Sequence, residues 1–366
     1  SSYPCNTQLQ RGEGLVFAGW AGDNVVCVTS LGGLRRFSWN GRDASGKAPF
    51  TLTLCRPSHK DWRSGVLGSV LMHSDSRAEH HVVGPLDGCD GGSWQGRVAF
   101  VALKGQLVLL SAGHGDGAIQ AVGVHGAACS FVQRVRAHCS TAACLAVDSK
   151  VDPTFLVTGG RDATVRVWRL EPAKGAPLSE QPLATLIGHT EPVGCVCMSV
   201  HLDAIVSTSG RGGVCCVHTL RKGKMLAKFQ HPAAAEVTLL ALSREGDVLV
   251  YSPADCKLHV LSLHGALLVS SERLPHLLTT LFLFPHGLML AVGDSSGQVS
   301  LYALHTLLKC HAFPTLGPEA GAVTALTLSP CHNFLMVTTD HGRLEVFGDA
   351  SASCRALALV IDSLGF

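Results

Sequence analysis

Apolar and polar residues alternate along most of this chain in short segments that end at glycine, aspartate or serine. The clearest segment is residues 155–168, which reads FLVTGGRDATVRVW. An apolar run leads into a Gly-Gly-Arg-Asp turn, and an alternating strand follows and ends at Trp168. Alternation with a period of two on both sides of a polar turn is typical of a β-hairpin. The pattern therefore predicts a hairpin over residues 155–168.

Similar hairpins recur along the whole chain. They end at Trp39, Val122, Trp168, His218, Leu261, Tyr302 and Phe347. By subtraction, these ends are separated by 83, 46, 50, 43, 41 and 45 residues. Units of four short strands that repeat every 40 to 50 residues or so are typical of the blades of a β-propeller. The spacing predicts an all-β, seven-bladed propeller that forms a single domain over residues 1–366.

The first interval is too long for one blade, and two interpretations are open. It holds either an eighth, degenerate blade or a long insertion after the first blade. Residues 59–96 are rich in Gly, Ser, His and Asp and show little alternation. We favour a flexible loop insertion over 59–96, with Thr51–Cys55 as the outer strand of the first blade and Arg97–Ala102 opening the second.

Both ends of the chain carry strand patterns. Gly14–Trp20 is predicted to open the first blade, and Arg355–Asp362 to close the last one. Whether the segment before Gly14 pairs with the last blade stays open at this point. Because the chain starts without methionine, we expect it to be a fragment of a longer protein.

A set of polar residues accompanies the hairpin at 155–168. Asp162 in the turn is expected to accept a hydrogen bond from His138 on the preceding loop. His138 in turn bonds the hydroxyl of Thr158, and that hydroxyl accepts from the indole of Trp168. The WD40 repeat has an upstream histidine, a residue with a small hydroxyl side chain, an aspartate in the turn and a tryptophan at the end of the strand. We therefore interpret His138, Thr158 and Asp162 as a structural network and not as a catalytic triad.

The next repeat is a weakened copy. His189 is present and Thr208 matches Thr158, but Gly212 stands in place of the turn aspartate and His218 in place of the tryptophan. The polar network is predicted to stay incomplete in this blade, with His189 and Thr208 as its remaining members.

Composition narrows the class of function. The chain has 46% hydrophobic and 15% charged residues and a net charge of +2, which gives no bulk field for nucleic acid or a membrane surface. The 15 cysteines are scattered, some within apolar strands, without a Cys-x-x-Cys pair. We interpret them as buried residues in a reducing compartment, and we expect no metal site and no cofactor. The apolar region 274–292 is interrupted by prolines and a glycine, so we expect no membrane span.

Two motifs resemble catalytic sequences. Residues 293–297 match Gly-x-Ser-x-Gly around Ser295, but a strand pattern and not a helix follows them. Residues 113–117 are glycine-rich but lack the lysine of a phosphate loop. Both coincide with predicted blade turns, so we expect no catalytic residues and no enzyme activity.

The run GHTEPVGCVCMSVHLDAIVSTSGRGGVCCVHTLRKGK at 188–224, with TGGRDATVRVWRL at 158–170, resembles the carboxy-terminal propeller of BEACH-WD40 proteins, the neurobeachin family. This resemblance covers most of the chain from about Arg97 onward. It implies a BEACH module upstream in the same chain. It also implies a cytoplasmic scaffold, peripheral at the endoplasmic reticulum or vesicle membranes, that acts in vesicle trafficking and in granule or lysosome-related organelle biogenesis.

The WD40 pattern also suggests where partners bind. The residue before the turn aspartate lies on the rim of the face where peptides dock, which points to Arg161, with Arg211 taken as its match one blade on. Guanidinium groups pair with carboxylates, so we expect protein partners with acidic segments. The alternatives are a propeller adaptor of another complex, such as a ubiquitin ligase or a G-protein-beta-like module, and, less favoured, a propeller hydrolase.

Overall fold

The computed structural model describes the chain in blocks separated by short gaps. The described residues are 2–5, 15–21, 24–29, 34–39, 50–54, 56–57, 96–125, 128–148, 153–171, 176–313, 321–328, 334–341 and 344–348. Every regular element in these blocks is a β-strand. Nowhere in them is there a helix with the length and apolar character needed to cross a membrane.

The strands are short, as the alternating segments predict. In chain order they are β1 Ser2–Cys5, β2 Leu15–Ala21, β3 Asn24–Thr29, β4 Leu34–Trp39, β5 Phe50–Leu54, β6 Arg56–Pro57, β7 Val98–Leu103, β8 Gln106–Ser111, β9 Ala118–His125, β10 Ala128–Arg136, β11 Ala142–Val147, β12 Phe155–Gly160, β13 Val165–Arg169, β14 Ala184–Leu186, β15 Val193–Ser199, β16 Ala204–Ser209, β17 Val214–Thr219, β18 Met225–Gln230, β19 Leu239–Leu242, β20 Val248–Ser252, β21 Lys257–Leu261, β22 Leu267–Ser270, β23 Leu278–Leu283, β24 Met289–Asp294, β25 Val299–Ala303, β26 Lys309–Ala312, β27 Val323–Leu328, β28 Phe334–Thr339 and β29 Leu344–Gly348.

The described strands form seven sheets, six with four strands and one with five, and every pairing is antiparallel except that of β6 with β10. Five sheets take consecutive strands: β2 to β5, β11 to β14, β15 to β18, β19 to β22 and β23 to β26. The five-stranded sheet has the order β6-β10-β9-β8-β7, and the last has the order β1-β29-β28-β27. All seven predicted hairpin ends lie on the third strand of a sheet. The expected all-β fold of repeated hairpins is confirmed.

The first strand of each sheet packs against the first strand of the next. β2 contacts β7, β7 contacts β11, and the series continues through β15, β19, β23 and β27 back to β2. A side-chain bond supports the last contact, in which the Thr324 hydroxyl donates to the Leu15 carbonyl at 2.6 Å. The first strands therefore form a ring, and apolar side chains fill the space between neighbouring sheets.

The core shows why these segments stay in register. Between the sheets that begin at β11 and β15, Val157, Val165 and Val167 pack against Val193 and Val196, and all are buried. Each is an inward position of an alternating strand, so a slip of one residue would turn it towards water. Trp168, Tyr251 and Phe284 are the bulkiest of the fully buried side chains.

The two ends of the chain meet in one sheet. β1 pairs with β29, with Tyr3 opposite Val346. The edge of β29 at which Arg355–Asp362 is predicted to close the last blade is paired with β1 in the described sheet. A strand edge has one row of free backbone groups and takes one partner. Residues 355–362 themselves lie outside the described residues.

The predicted boundaries around the insertion agree with the strands. β5 matches the outer strand expected at Thr51–Cys55, and β7 matches the one expected from Arg97. β6 then runs parallel to β10, with Arg56 opposite Ala128, so the chain has reached the outer edge of the next sheet. The insertion predicted at 59–96 lies outside the described residues, apart from Gly96.

Nine cysteines of the described blocks are free thiols, and all but Cys139 are buried or half-buried. Cys215 and Cys216 are fully buried on β17. Burial raises the pKa of the Cys215 thiol to about 12, so the side chain stays protonated and packs as a small apolar group.

Candidate functional site

The structure brings His138, Thr158, Asp162 and Trp168 together at one end of the β12–β13 hairpin. His138 Nδ1 lies 3.0 Å from Asp162 Oδ1, and His138 Nε2 lies 2.9 Å from Thr158 Oγ1. The Trp168 indole N–H donates to the same hydroxyl at 3.0 Å. Because a carboxylate only accepts, Nδ1–H donates to Asp162, and Nε2 accepts from the threonine hydroxyl. The hydrogen bonds therefore run in one direction, from the Trp168 indole through Thr158 and His138 to the Asp162 carboxylate.

Asp162 also holds the local backbone. Its Oδ2 accepts from the Cys139 amide at 3.0 Å, and its Oδ1 accepts from the Thr164 hydroxyl at 2.8 Å. Gly160 is required beside this carboxylate, because a Cβ there would collide with His138 Nδ1. The aspartate therefore ties the loop before β11 to the β12–β13 turn.

The environment keeps the network in one protonation state. Burial lowers the pKa of His138, although the nearby Asp162 carboxylate acts in the opposite direction. Burial also acts to raise the pKa of Asp162, but hydrogen bonds from Thr164, Cys139 and His138 outweigh it and lower that pKa. A neutral imidazole beside an ionised carboxylate is a stable arrangement of hydrogen bonds. Every polar atom of the set that could attack a substrate is already used in a structural bond.

In the weakened repeat, the hydroxyl that bonds the histidine belongs to the residue before the predicted one. His189 Nε2 bonds Ser207 Oγ at 2.8 Å, and not Thr208. In register, Thr158 lies opposite Leu145 on its neighbouring strand, and Ser207 holds the same place opposite Val196. Matching Thr208 to Thr158 is therefore wrong. Thr158 pairs with Arg166, eight residues on, whereas Ser207 pairs with Cys216, nine residues on, so the connection between equivalent positions is one residue longer in the second hairpin. Thr208 is buried and its hydroxyl has no hydrogen-bond partner in the described part of the chain.

His218 takes the place of the tryptophan in this sheet. Its Nε2 donates to the Ile187 carbonyl at 3.2 Å, and its buried Nδ1 has no hydrogen-bond partner among the described residues. Burial lowers the pKa of His189 to about 4, and the positive charges that His218 and Lys228 carry when protonated contribute to the shift. Within the described blocks no carboxylate bonds His189, so the network of the preceding sheet is not repeated there.

Arg161 and Arg211 lie in the corresponding turns of two adjacent sheets, and both side chains are exposed. The Arg161 amide donates to the Thr141 carbonyl at 2.9 Å, and the Gly210 amide makes the equivalent bond to Pro192 at 2.8 Å. Gly210 therefore occupies the position that Arg161 has in its sheet, and Arg211 lies one residue further into the turn. Taking Arg211 as the match of Arg161 is wrong by one residue. Among the described residues, neither guanidinium takes part in an ion pair.

The two catalytic-looking motifs lie in turns between strands. Ser295 is exposed in the β24–β25 turn, where Asp294 Oδ1 accepts from the amides of Ser296 and Gln298. A strand and not a helix follows, so the strained elbow of hydrolases is not formed. Residues 113–117 make the β8–β9 turn, and Gly117 is needed there because a Cβ would collide with the His138 carbonyl.

One cluster was missed by the analysis of sequence. His231, Asp255 and His259 offer ring nitrogens and a carboxylate oxygen that lie within 4.8 Å of one another. The only signal was His231, which stands before β19 where His138 stands before β11. Asp255 and His259 lie four residues apart in one hairpin, but His231 comes from a separate loop, so no short motif contains all three.

Comparisons with known proteins agree with this geometry. Residues 93–355 match the family model described as the neurobeachin beta propeller domain. BEACH domain-containing protein B of Arabidopsis thaliana is 31% identical over 232 residues, which is 59% of this chain and 9% of that protein. BEACH domain-containing protein lvsD of Dictyostelium discoideum is 27% identical over 157 residues, 40% of this chain and 5% of that protein. The chain thus spans less than a tenth of the length of these relatives.

Among solved structures, the chain resembles the WD40 beta propeller domain of Doa1. The TM-score is 0.65 at 14% identity, over 96% of this chain and 97% of that one. A chain of the mitotic checkpoint complex gives a TM-score of 0.60 at 13% identity, over 91% of this chain and 86% of that one. At this identity the likeness shows the fold alone, and the fold is an all-β WD40 β-propeller.

Proposed function

This chain belongs to the neurobeachin beta propeller domain family, and we propose that it is a non-catalytic protein-interaction scaffold within a BEACH-family protein. The match of the family model to residues 93–355 carries this proposal. Because the relatives are BEACH domain-containing proteins more than ten times longer than the matched region, we place a BEACH module in the same full-length chain. The role we infer for the whole protein is in vesicle trafficking and granule or lysosome-related organelle biogenesis in the cytoplasm.

We infer that the ring has seven blades, one for each described sheet. The contacts between successive first strands support this count, since they run through all seven sheets and return to β2. A rigid ring presents its turns on two opposite faces, which is suited to binding several proteins. Residues 59–96 would then be an insertion between the outer and the inner edge of the second blade.

The face that carries Arg161 and Arg211 is our proposed binding site. Both side chains are exposed. Arg134, by contrast, is paired with Asp116 at 2.7 Å and is not available to a partner. On a chain with a net charge of only +2, two exposed guanidinium groups in neighbouring turns, with no ion pair to any described residue, form a local positive site. Such groups bind carboxylates through two parallel hydrogen bonds, so the partner would present an acidic segment.

A pull-down from cytosol with the full chain tests this function, followed by affinity measurements on a captured partner. We expect the Arg161→Glu, Arg211→Glu double mutant to keep its thermal stability and lose at least tenfold in affinity. The matched control is Arg169→Glu with Lys222→Glu, which makes the same change in charge at exposed positions on the other ends of the same sheets. Equal binding by the folded double mutant would exclude this face, and the absence of any captured protein would argue against the scaffold.

A further inference from the structure

A second polar centre lies where the β18–β19 loop meets the β20–β21 turn. The His231 amide donates to the Gly213 carbonyl at 2.8 Å, as the His138 amide does to Gly117 at 2.9 Å. The two histidines therefore occupy the same position in their sheets. The sheet of His231 differs because β21 adds a second imidazole, His259, beside the turn carboxylate.

Within this centre, His259 and Asp255 are in direct contact. His259 Nε2 lies 2.8 Å from Asp255 Oδ2, and His259 Nδ1 lies 2.7 Å from Ser270 Oγ. A nitrogen and a carboxylate oxygen this close need a proton or a cation between them. In the described arrangement a proton serves, with Nε2–H donating to Asp255 and Nδ1 accepting from the Ser270 hydroxyl.

The His231 ring completes the cluster and has an unused nitrogen. The ring is 1% exposed and meets the His259 ring edge to face, with centroids 4.9 Å apart. Its Nδ1 accepts from the Ala233 amide at 3.1 Å, while its buried Nε2 has no hydrogen-bond partner in the described blocks. A buried polar atom without a partner is destabilising, so a ligand that used it would stabilise the fold.

We propose that His231, Asp255 and His259 bind a divalent transition-metal ion of the zinc class. Zinc binds imidazole and carboxylate ligands in proteins. Magnesium and calcium prefer oxygen ligands, so two imidazoles favour an ion of the zinc class. Ligands around tetrahedral zinc stand roughly 3.3 Å apart, so ring atoms now within 4.8 Å need to move by about an ångström or two. Asp255 is partly exposed, so the ion can reach the site from solvent. A water molecule could then take the fourth coordination position.

Binding rearranges protons without releasing any. On His259 the Nε2 proton moves to Nδ1, which then donates to the Ser270 hydroxyl, and such an outer acceptor fixes the tautomer of a metal-bound histidine. On His231 the proton also moves to Nδ1 if Nε2 binds the ion. The Ala233 amide then loses its acceptor, so the 232–235 turn has to shift when the ion binds.

Zinc binding to the full chain tests the proposal, measured by competition with a chromophoric chelator and by the visible absorption of bound cobalt. We expect one ion per chain in the wild type and at least tenfold weaker binding in Asp255→Asn and His259→Gln. His264→Gln and Cys139→Ser are controls at exposed positions and should bind as the wild type does.

Equal affinity in the wild type and a folded His259→Gln variant would overturn the site. Circular dichroism shows whether each variant folds. If both variants fail to fold, anomalous diffraction from zinc-soaked wild-type crystals decides. A peak between the three side chains would support the site, and a map without one there would refute it.

Discussion

At the scale of single residues, the hydrogen-bonded set around Asp162 links two loops that are distant in sequence. Its carboxylate accepts from His138, Thr164 and the Cys139 amide, and it is only partly exposed. A buried donor that loses its acceptor is costly because it gives up water without replacement. We therefore expect the set to act through stability.

Replacing Asp162 by alanine should lower the free energy of unfolding by about 1 to 3 kcal/mol. Urea denaturation measures this directly. Asp116→Ala is the comparison and should cost less, since the Asp116 side chain is 52% exposed and its partners are Arg134 and the Ala118 amide. An unchanged midpoint for Asp162→Ala would refute the structural role of the network.

His189 should make stability depend on pH. Burial lowers its folded pKa to about 4, below the value near 6.5 of an unfolded histidine, so the unfolded chain takes up a proton first. The free energy of unfolding is then highest above about pH 6.5 and falls as the pH drops towards 4. The total decrease is about 3 kcal/mol. His189→Gln should flatten the curve between these values, measured by urea unfolding at several pH values. The exposed His201→Gln is the control, and an equal slope in His189→Gln and the wild type would contradict the assignment.

At the scale of elements, the sheets differ in how their outer strands are supplied. Most sheets take all their strands from one continuous segment, but the last depends on β1 from the other end of the chain. Its four paired positions, from Ser2 opposite Phe347 to Cys5 opposite Leu344, cover an edge that would otherwise be open.

Deleting residues 1–5 should therefore destabilise the last sheet. Losing several backbone hydrogen bonds should lower the free energy of unfolding by about 2 to 4 kcal/mol. Calorimetry would show the lower Tm, and amide exchange would show faster exchange in Leu344–Gly348. Removing Ser1 alone is the control. A Tm equal to that of the full chain would mean that β1 does not seal the ring.

The predicted insertion is a separate element. Deleting residues 59–95 and joining the flanks with a glycine-serine linker should leave the ring folded, provided that the linker spans the sheet from β6 at one edge to β7 at the other, about 20 Å at the usual strand spacing. We expect a Tm close to that of the full chain. In the intact protein, residues 59–95 should exchange their amides fast. Slow exchange there, or failure of the deletion variant to fold, would show that the segment is part of the core.

At the scale of the whole molecule, charge is nearly balanced, so any electrostatic attraction comes from local sites. The exposed turns that carry Arg161 and Arg211 belong to adjacent sheets of the ring. Their arrangement is fixed by the packing of β11 against β15, and not by the turns themselves.

If these turns bind an acidic partner, affinity should fall as salt is raised. Between about 50 and 300 mM NaCl, the Debye length shortens and exposed charge pairs are screened. We expect a steeper loss of affinity for the wild type than for the Arg161→Glu, Arg211→Glu variant, measured by surface plasmon resonance. Equal slopes for the two proteins would indicate that the partner binds elsewhere.

The sequence by itself determined the strands and the polar set of one repeat. A strand that buries one face must alternate, so each hairpin is visible in its own residues, from Trp39 to Phe347. His138, Thr158, Asp162 and Trp168 were identifiable because the whole set falls within one repeat.

Only the tertiary structure decided three other features. Ser207 and not Thr208 bonds His189, because an extra turn residue shifts the register of the strands. β1 pairs with β29 in the last sheet, because ring closure brings distant parts of the chain together. His231, Asp255 and His259 meet because a loop before one strand folds over the turn of the following hairpin. Each of these depends on distances through space, which local alternation along the chain does not encode.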